Sequence, residues 1–306
     1  MNSHLTLLPK IVLSALAALG VAACTDDPQP VTNAPSLQQR ETSNRDINDT
    51  VRLRRAYVHH VLRTNDGGIL DYYLMSPDRT AAMPEGGFPL VVFLHGRGDN
   101  KDAMRMLRNG GQYFLYYRTD YPCYVAFPVC DGDLYWSYTE YPNHYPVDSV
   151  PTPEQTTVMY PRIMDLIRYL EENDPINPDR IVLCGYSMGA WGTLDIAART
   201  PGMFAGVLAL AGGINVNRAP DLFGQRMWLE HNANDINVEP VYSYALADRL
   251  VEMGEKTSAE GGPLTLKFYP DGDHAVKHLF QGPELMEWIW GSKLNHANNE
   301  RVNDEL

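Results

Sequence analysis

The chain has 306 residues, 44% of them hydrophobic, with 38 acidic against 25 basic residues and a formal net charge of −13. That balance argues against nucleic acid or anionic lipid as a partner, since either would be repelled, and leaves neutral small molecules open. The length suits one large domain with its own core, and no internal repeat is visible.

Residues 1–23 read as an export signal rather than as fold. Met1 to Lys10 is weakly basic, and the apolar run Ile11 to Leu19 is too short to span a bilayer as a mature helix. Val21-Ala22-Ala23-Cys24 at its end resembles the lipobox of bacterial lipoproteins. That resemblance implies cleavage before Cys24 and lipid on its sulfur, an anchor that needs no transmembrane helix. Thr25-Asp26-Asp27 looks like the surface-export signal of some such lipoproteins. The expectation is a protein exported and lipid-anchored to the bacterial cell envelope, at the outer membrane or cell surface. Loss of Lys10, the one Lys, Arg, Asp or Glu in 1–23, takes the net charge from −13 to near −14. Residues 24–55 are polar and carry Pro28, Pro30 and Pro35, which suits a linker. The domain is expected over 56–292, with a polar tail over 293–306. The final Asn303-Asp304-Glu305-Leu306 looks like an endoplasmic-reticulum retention signal, a coincidence beside a lipobox.

Within the domain, Ala56 to Arg63 and Ile69 to Met75 alternate around Asn65-Asp66-Gly67-Gly68, a hairpin signal. Pro89 to His95 and Tyr124 to Pro128 are continuous apolar runs, expected of strands buried on both faces. Thr156 to Glu172 places Val158, Ile163, Leu166, Ile167 and Leu170 on one helical face. Ile181 to Cys184, Gly206 to Leu210, Arg226 to His231 and Leu264 to Tyr269 supply further strands. Helices are expected at Ala190 to Arg199, about Val241 to Gly254, and Pro283 to Trp290. This alternation indicates an α/β fold: a mostly parallel twisted sheet covered by helices on both faces, with an opening antiparallel hairpin. Cys123 and Cys130 flank an extended run that would hold them about 20 Å apart by strand rise. No bridge between them is expected, because a disulfide needs Cα atoms within about 7 Å.

Gly185-Tyr186-Ser187-Met188-Gly189 follows one of these strands and precedes a helix. A serine hydroxyl becomes a useful nucleophile when a sharp strand-to-helix turn exposes it and a base takes its proton. Downstream, Asp235 lies in the loop after the Arg226 strand, and His274 in the loop after the Leu264 strand. The chain order nucleophile, acid, histidine is the one this architecture uses. Ser187 is therefore expected to attack an acyl carbonyl, His274 to carry the proton, and Asp235 to hold the imidazole. Asp271, Asp273 and His278 are nearby alternatives that fit less well. The oxyanion is assigned to the backbone N–H of Met188 and to that of Arg97, with Gly98 as the alternative, in the loop His95-Gly96-Arg97-Gly98-Asp99-Asn100. His95 is expected to pack beneath that loop. Aromatics at Tyr135-Trp136-Ser137-Tyr138 and Tyr141 to Tyr145 either line the substrate rim, Trp136 first among them, or pack their loop onto the domain. No cysteine–histidine spacing suits a metal, and no cofactor is expected.

From Gly87-Phe88-Pro89-Leu90 through His95-Gly96, Pro122, Trp136, Pro178-Asp179-Arg180 and Gly185 to Gly189, the sequence resembles the α/β-hydrolase fold group of feruloyl-esterase-like, polyhydroxybutyrate-depolymerase-like and predicted-peptidase enzymes. The match continues through Trp191-Gly192, Pro201, Gly212-Gly213, His231, Asp235, Val238 and His274, and covers about Pro77 to Trp290. Ala190 and Asn232 stand where that group usually carries glycine. The resemblance implies a serine hydrolase cleaving a carboxylic ester, carbohydrate-linked or of a small acyl group, through an acyl-enzyme. A peptidase using the same residues is the alternative, and a non-catalytic surface binding protein on this scaffold a more distant one. The sequence sets no oligomeric state.

Overall fold

The structure, a computed structural model, describes residues 50–139, 142–275 and 282–294. The signal segment, Cys24, most of the linker, His278 and nearly all of the tail lie outside the described residues.

Eight strands form a single sheet in the order β1-β2-β4-β3-β5-β6-β7-β8. β1 (Val58–Arg63) and β2 (Ile69–Met75) pair antiparallel as the expected hairpin, and β2 pairs antiparallel with β4 (Tyr124–Pro128). All remaining pairings, among β3 (Phe88–Leu94), β4, β5 (Ile176–Tyr186), β6 (Gly206–Leu210), β7 (Met227–Asn232) and β8 (Leu264–Tyr269), are parallel. β5 begins earlier than its apolar run suggests. Pro178 lacks an N–H, and the register with β3 shifts between Phe88 and Leu90 before pairing resumes at Ile181.

The period-2 alternation of each central strand feeds two separate cores. Leu90, Val92 and Leu94 face one layer, while Val91 and Phe93 face the other. On the first face lie α4 (Met159–Asn173), α5 (Met188–Arg199), the short α6 (Ala219–Leu222) and α7 (Val241–Glu252). On the second lie α1 (Thr50–Ala56), the short α2 (Ala103–Met106) and α3 (Gln112–Tyr116), and α8 (Glu284–Trp290). Two helical segments lie outside the sequence reading. Thr50–Ala56 is helical rather than linker, because Leu53 and Tyr57 are buried in the second core and the Tyr57 hydroxyl donates to Gly111 O at 2.9 Å. The helix thus packs onto the second core ahead of β1. The α2–α3 pair escaped the pattern because Asn109 and Gly110 break its helical geometry midway.

The thiols of Cys123, Cys130 and Cys184 are free and buried, and burial raises all three, Cys123 and Cys130 to about 12. At that level they are inert, as structural cysteines in apolar surroundings are.

β7 also carries an ionisable group into the core. Glu230 is fully buried. Its Oε2 accepts from Trp228 Nε1 at 3.0 Å and its Oε1 has no partner among the described residues. Burial pushes its carboxyl up to about 8, against the smaller opposing effects of the Trp228 bond and Lys267. In the unfolded chain a Glu titrates near ~4.3. Between those values the folded state holds a proton that the unfolded state has lost, so this group makes stability fall as pH rises. Glu230→Gln keeps an acceptor for Trp228 and removes the proton. Its urea-denaturation stability is expected to fall less than wild type between pH 5 and pH 8; an unchanged slope would contradict the assignment.

Candidate active site

β5 ends at Tyr186 and α5 starts at Met188, so Ser187 alone makes the turn. It does so with φ 55° and ψ −120°, a left-handed backbone rare for a non-glycine residue and costing of order ~1–3 kcal/mol. The Ser187 N–H donates to Leu210 O on β6 at 2.8 Å, and Ser187 O accepts from Ala190 N at 2.8 Å. The flanking glycines are required by contact. A Cβ on Gly189 would lie 1.9 Å from Leu94 O, and one on Gly185 would lie 2.1 Å from Gly189 O. Ala190, which stands where the resembled group has glycine, is accommodated by Gly212, where a Cβ would come within 2.4 Å of the Ala190 methyl.

The structure brings together the three residues singled out from three separate loops. His274 Nε2 lies 2.8 Å from Ser187 Oγ, and His274 Nδ1 lies 2.7 Å from Asp235 Oδ2. Asp235 is buried, and its Oδ1 accepts from the N–H groups of Asn237 at 2.9 Å and Val238 at 3.0 Å. Burial by itself would raise this carboxyl. Hydrogen bonds from His231, His274 and the Val238 amide, with the charge interaction of His274, overcome it and hold Asp235 well below the usual carboxylate range. An ionised Asp235 only accepts, so His274 carries a hydrogen on Nδ1, and its Nε2 faces the Ser187 hydroxyl.

Asp271 and Asp273 are exposed, and Asp273 Oδ1 accepts from Ala275 N within its own loop. Neither supplies the carboxylate that His274 Nδ1 meets. Sequence reasoning missed the role of His231. This buried ring sets Nε2 against both Asp235 Oδ2, at 3.2 Å, and Val238 O, at 3.0 Å, while Nδ1 meets Ser243 Oγ at 2.7 Å. With two acceptors in front of it, Nε2 must carry a hydrogen, so His231 is a donor that fixes the Asp235 rotamer. The visible signal was its spacing, four residues before the acid at the end of the same strand.

The loop after β3 is wired from below. His95 is buried and held neutral by that burial, with Nδ1 toward Gly96 O at 2.8 Å and Nε2 accepting from Cys130 N at 3.0 Å. This is the packing role expected of it. Asp99 is buried beneath the loop and accepts from Arg105 and Asn109. Gly98 takes φ 78°, and Gly96 lies against the Tyr186 ring. Arg97 is exposed, its guanidinium stacked 4.1 Å over the Tyr135 ring. The expectation for Trp136 is overturned. Trp136 is fully buried, donates Nε1 to His95 O at 2.9 Å, and stands where any side chain on Gly192 would collide with it. It props the loop and offers no surface to a substrate. Met188 opens α5, so its N–H is one of the first-turn donors that no helical carbonyl reaches.

Among the described residues, no group of three or more His, Cys, Asp or Glu could hold a metal ion, and no helix is long and apolar enough to cross a membrane. The constellation can pass a hydroxyl proton to an imidazole and hold the resulting cation against a carboxylate, beside a turn rich in backbone donors.

Residues 71–258, more than half of the chain, match the family model described as "Putative esterase". A curated relative, "Putative esterase NocK" of Nocardia uniformis subsp. tsuyamanensis, is 26% identical over 206 residues, 66% of this chain and 54% of its own. The chain therefore spans about half the length of that relative. A solved structure described as a thermostable esterase superposes with a TM-score of 0.66 at 22% identity, over 79% of this chain and 64% of that one. The Pyrococcus horikoshii acylaminoacyl peptidase superposes with a TM-score of 0.54 at 11% identity, over 78% of this chain and 42% of that one. At such identities the two structures speak for a shared fold. The chain belongs to the "Putative esterase" family, within the esterase group of α/β-hydrolases.

Proposed function

We propose that this protein is an exported serine esterase, acting on a carbohydrate-linked or small acyl ester. The observation that carries the reading is the pair of contacts on His274, Nε2 to the Ser187 hydroxyl and Nδ1 to a buried carboxylate held ionised. Ser187 Oγ attacks the acyl carbonyl as His274 Nε2 takes its proton. Asp235 stabilises the imidazolium without itself being protonated. The oxyanion is held by the N–H of Met188 and that of Arg97, or of Gly98, each donor worth about 3 kcal/mol in the transition state. His274 returns the proton to the leaving alcohol, and water then attacks the acyl-enzyme by the same route. Export and anchoring rest on the lipobox at Cys24.

Ser187→Ala is expected to reduce hydrolysis of p-nitrophenyl acetate to background, a loss of about 10⁶ in kcat, with thermal unfolding unchanged, since alanine keeps the Cβ and the same backbone at this turn. Retained turnover would remove Ser187 as nucleophile. Asp235→Asn should cost about 10⁴ in kcat by allowing the wrong imidazole tautomer, whereas Asp273→Asn, which keeps the acceptor for Ala275 N, should stay within a few-fold; the reverse ranking would move the acid. A panel of acetyl, feruloyl and longer acyl esters set beside peptide substrates should show ester turnover only, and faster amide cleavage would favour the peptidase reading. Cys24→Ser should move the expressed protein from the membrane to the soluble fraction, and an unchanged distribution would refute the anchor.

A further inference from the structure

Three consecutive carbonyls of the histidine loop are each held by a side chain that the proposed chemistry does not use. Asn232, at the end of β7 and 1% exposed, donates Nδ2 to Asp273 O at 2.7 Å and to Ala275 O at 3.2 Å. Tyr186 donates its hydroxyl to His274 O at 2.9 Å. The orientation of the Asn232 amide is not arbitrary. Both loop atoms are acceptors, so the NH₂ must face them, and Oδ1 is left buried with no hydrogen-bond partner among the described residues. Leaving an acceptor buried and unmet opposes folding by about 1–3 kcal/mol, so the side chain is poorly suited to stability alone. The loop has been shaped around it. Gly272 takes φ 104°, and a Cβ there would sit 2.9 Å from Asn232 Cγ. The Asn232 backbone is itself fixed by its register with Tyr269, and the Ala233 N–H donates to Tyr269 O at 2.9 Å.

Tyr186 reaches the loop from the other side. It immediately precedes Ser187, its ring lies 5.0 Å from the His274 ring, and burial raises its hydroxyl so that it stays a donor. One residue therefore ties the backbone of the turn bearing Ser187 to the backbone bearing His274. Asn232 ties the same backbone to the strand that leads into Asp235.

We propose that Asn232 and Tyr186 are positioning residues that clamp the His274 loop, setting the imidazole at bonding distance from Ser187 and Asp235 at once. This rests on the reading of those three as the reacting set. In this role each acts through His274, not through contact with substrate. Their loss should let the loop rock by a fraction of an ångström, and misplacement on the scale of 1 Å costs about 100-fold in rate.

The test uses the full chain with Tyr186→Phe, which removes one hydroxyl and keeps the ring, and with Asn232→Asp, which keeps the shape and turns the donor into an acceptor. Asn232→Ala carries the test should the Asp variant fail to fold. Each variant that unfolds at a temperature near wild type is expected to lose about 10- to 100-fold in kcat with KM within about threefold. The downfield proton resonance of His274 Nδ1–H, bonded to Asp235, should broaden or vanish in the same variants and persist in Ser187→Ala. Folded variants with kcat within twofold of wild type and an intact resonance would overturn the clamp. So would a rise in KM at constant kcat, which would make the residues substrate contacts. The resonance distinguishes failures: turnover by Ser187→Ala would sink the serine mechanism, while the resonance in the Tyr186 and Asn232 variants would still decide the clamp.

Discussion

The approach of α5 to β3 is the constraint on which the site depends. The backbone at Gly189 lies so close to Leu94 O that a single methyl would not fit, and the strand end at Gly185 lies equally close to Gly189. A chain pinned that tightly on both sides has one residue in which to reverse direction. Ser187 absorbs the turn in a left-handed conformation. The side chain is then held away from both secondary elements, where a base can reach it. The strain is local, and the hydrogen bonds on either side of Ser187 and the packing of Met188, Ala190 and Leu194 into the first core sustain it. The same approach brings the start of the loop after β3 beside the start of α5.

A second constraint is electrostatic. Asp235 is a charge placed under protein, which is tolerable only when its lone pairs are met. Four donors meet them: two amides from its own loop and two imidazoles. Glu230, only five residues earlier on β7, shows the contrasting solution. With one donor and a vacant second oxygen, it keeps its proton instead. Two carboxyl groups on neighbouring stretches of chain thus differ in charge because of the number of N–H groups aimed at them.

Much of this was legible in the sequence because the signals were periodic or local. Parallel strands buried on both faces write continuous apolar runs, as Leu90 to Leu94 and Ile181 to Cys184 do. The glycines at 185 and 189 announce a close approach, and the order Ser187, Asp235, His274 follows strand ends. What was not legible depended on which atom faces which across the fold. Trp136 reads as a rim aromatic until its indole is found bonded to His95 O. His231 looks like the end of a strand until its ring is seen against Asp235. Leu53 lies in a polar stretch where one buried leucine leaves no period. Asn232 reads as a departure from glycine, and only the positions of the carbonyls at 273 and 275 give it a use.

The sheet order has a kinetic consequence. Ser187, Asp235 and His274 follow β5, β7 and β8, and each meets the others only when those strands have paired in register. The His274–Ser187 contact closes a span of 87 residues. Parallel pairing of distant segments is slow, because chain entropy is lost before the contacts form. The local hairpin can pair early, but Ser187, Asp235 and His274 cannot meet until the distant strands have paired. The three side chains thus come together only when β5, β7 and β8 have paired, and an immature chain carrying all of them would hold them apart.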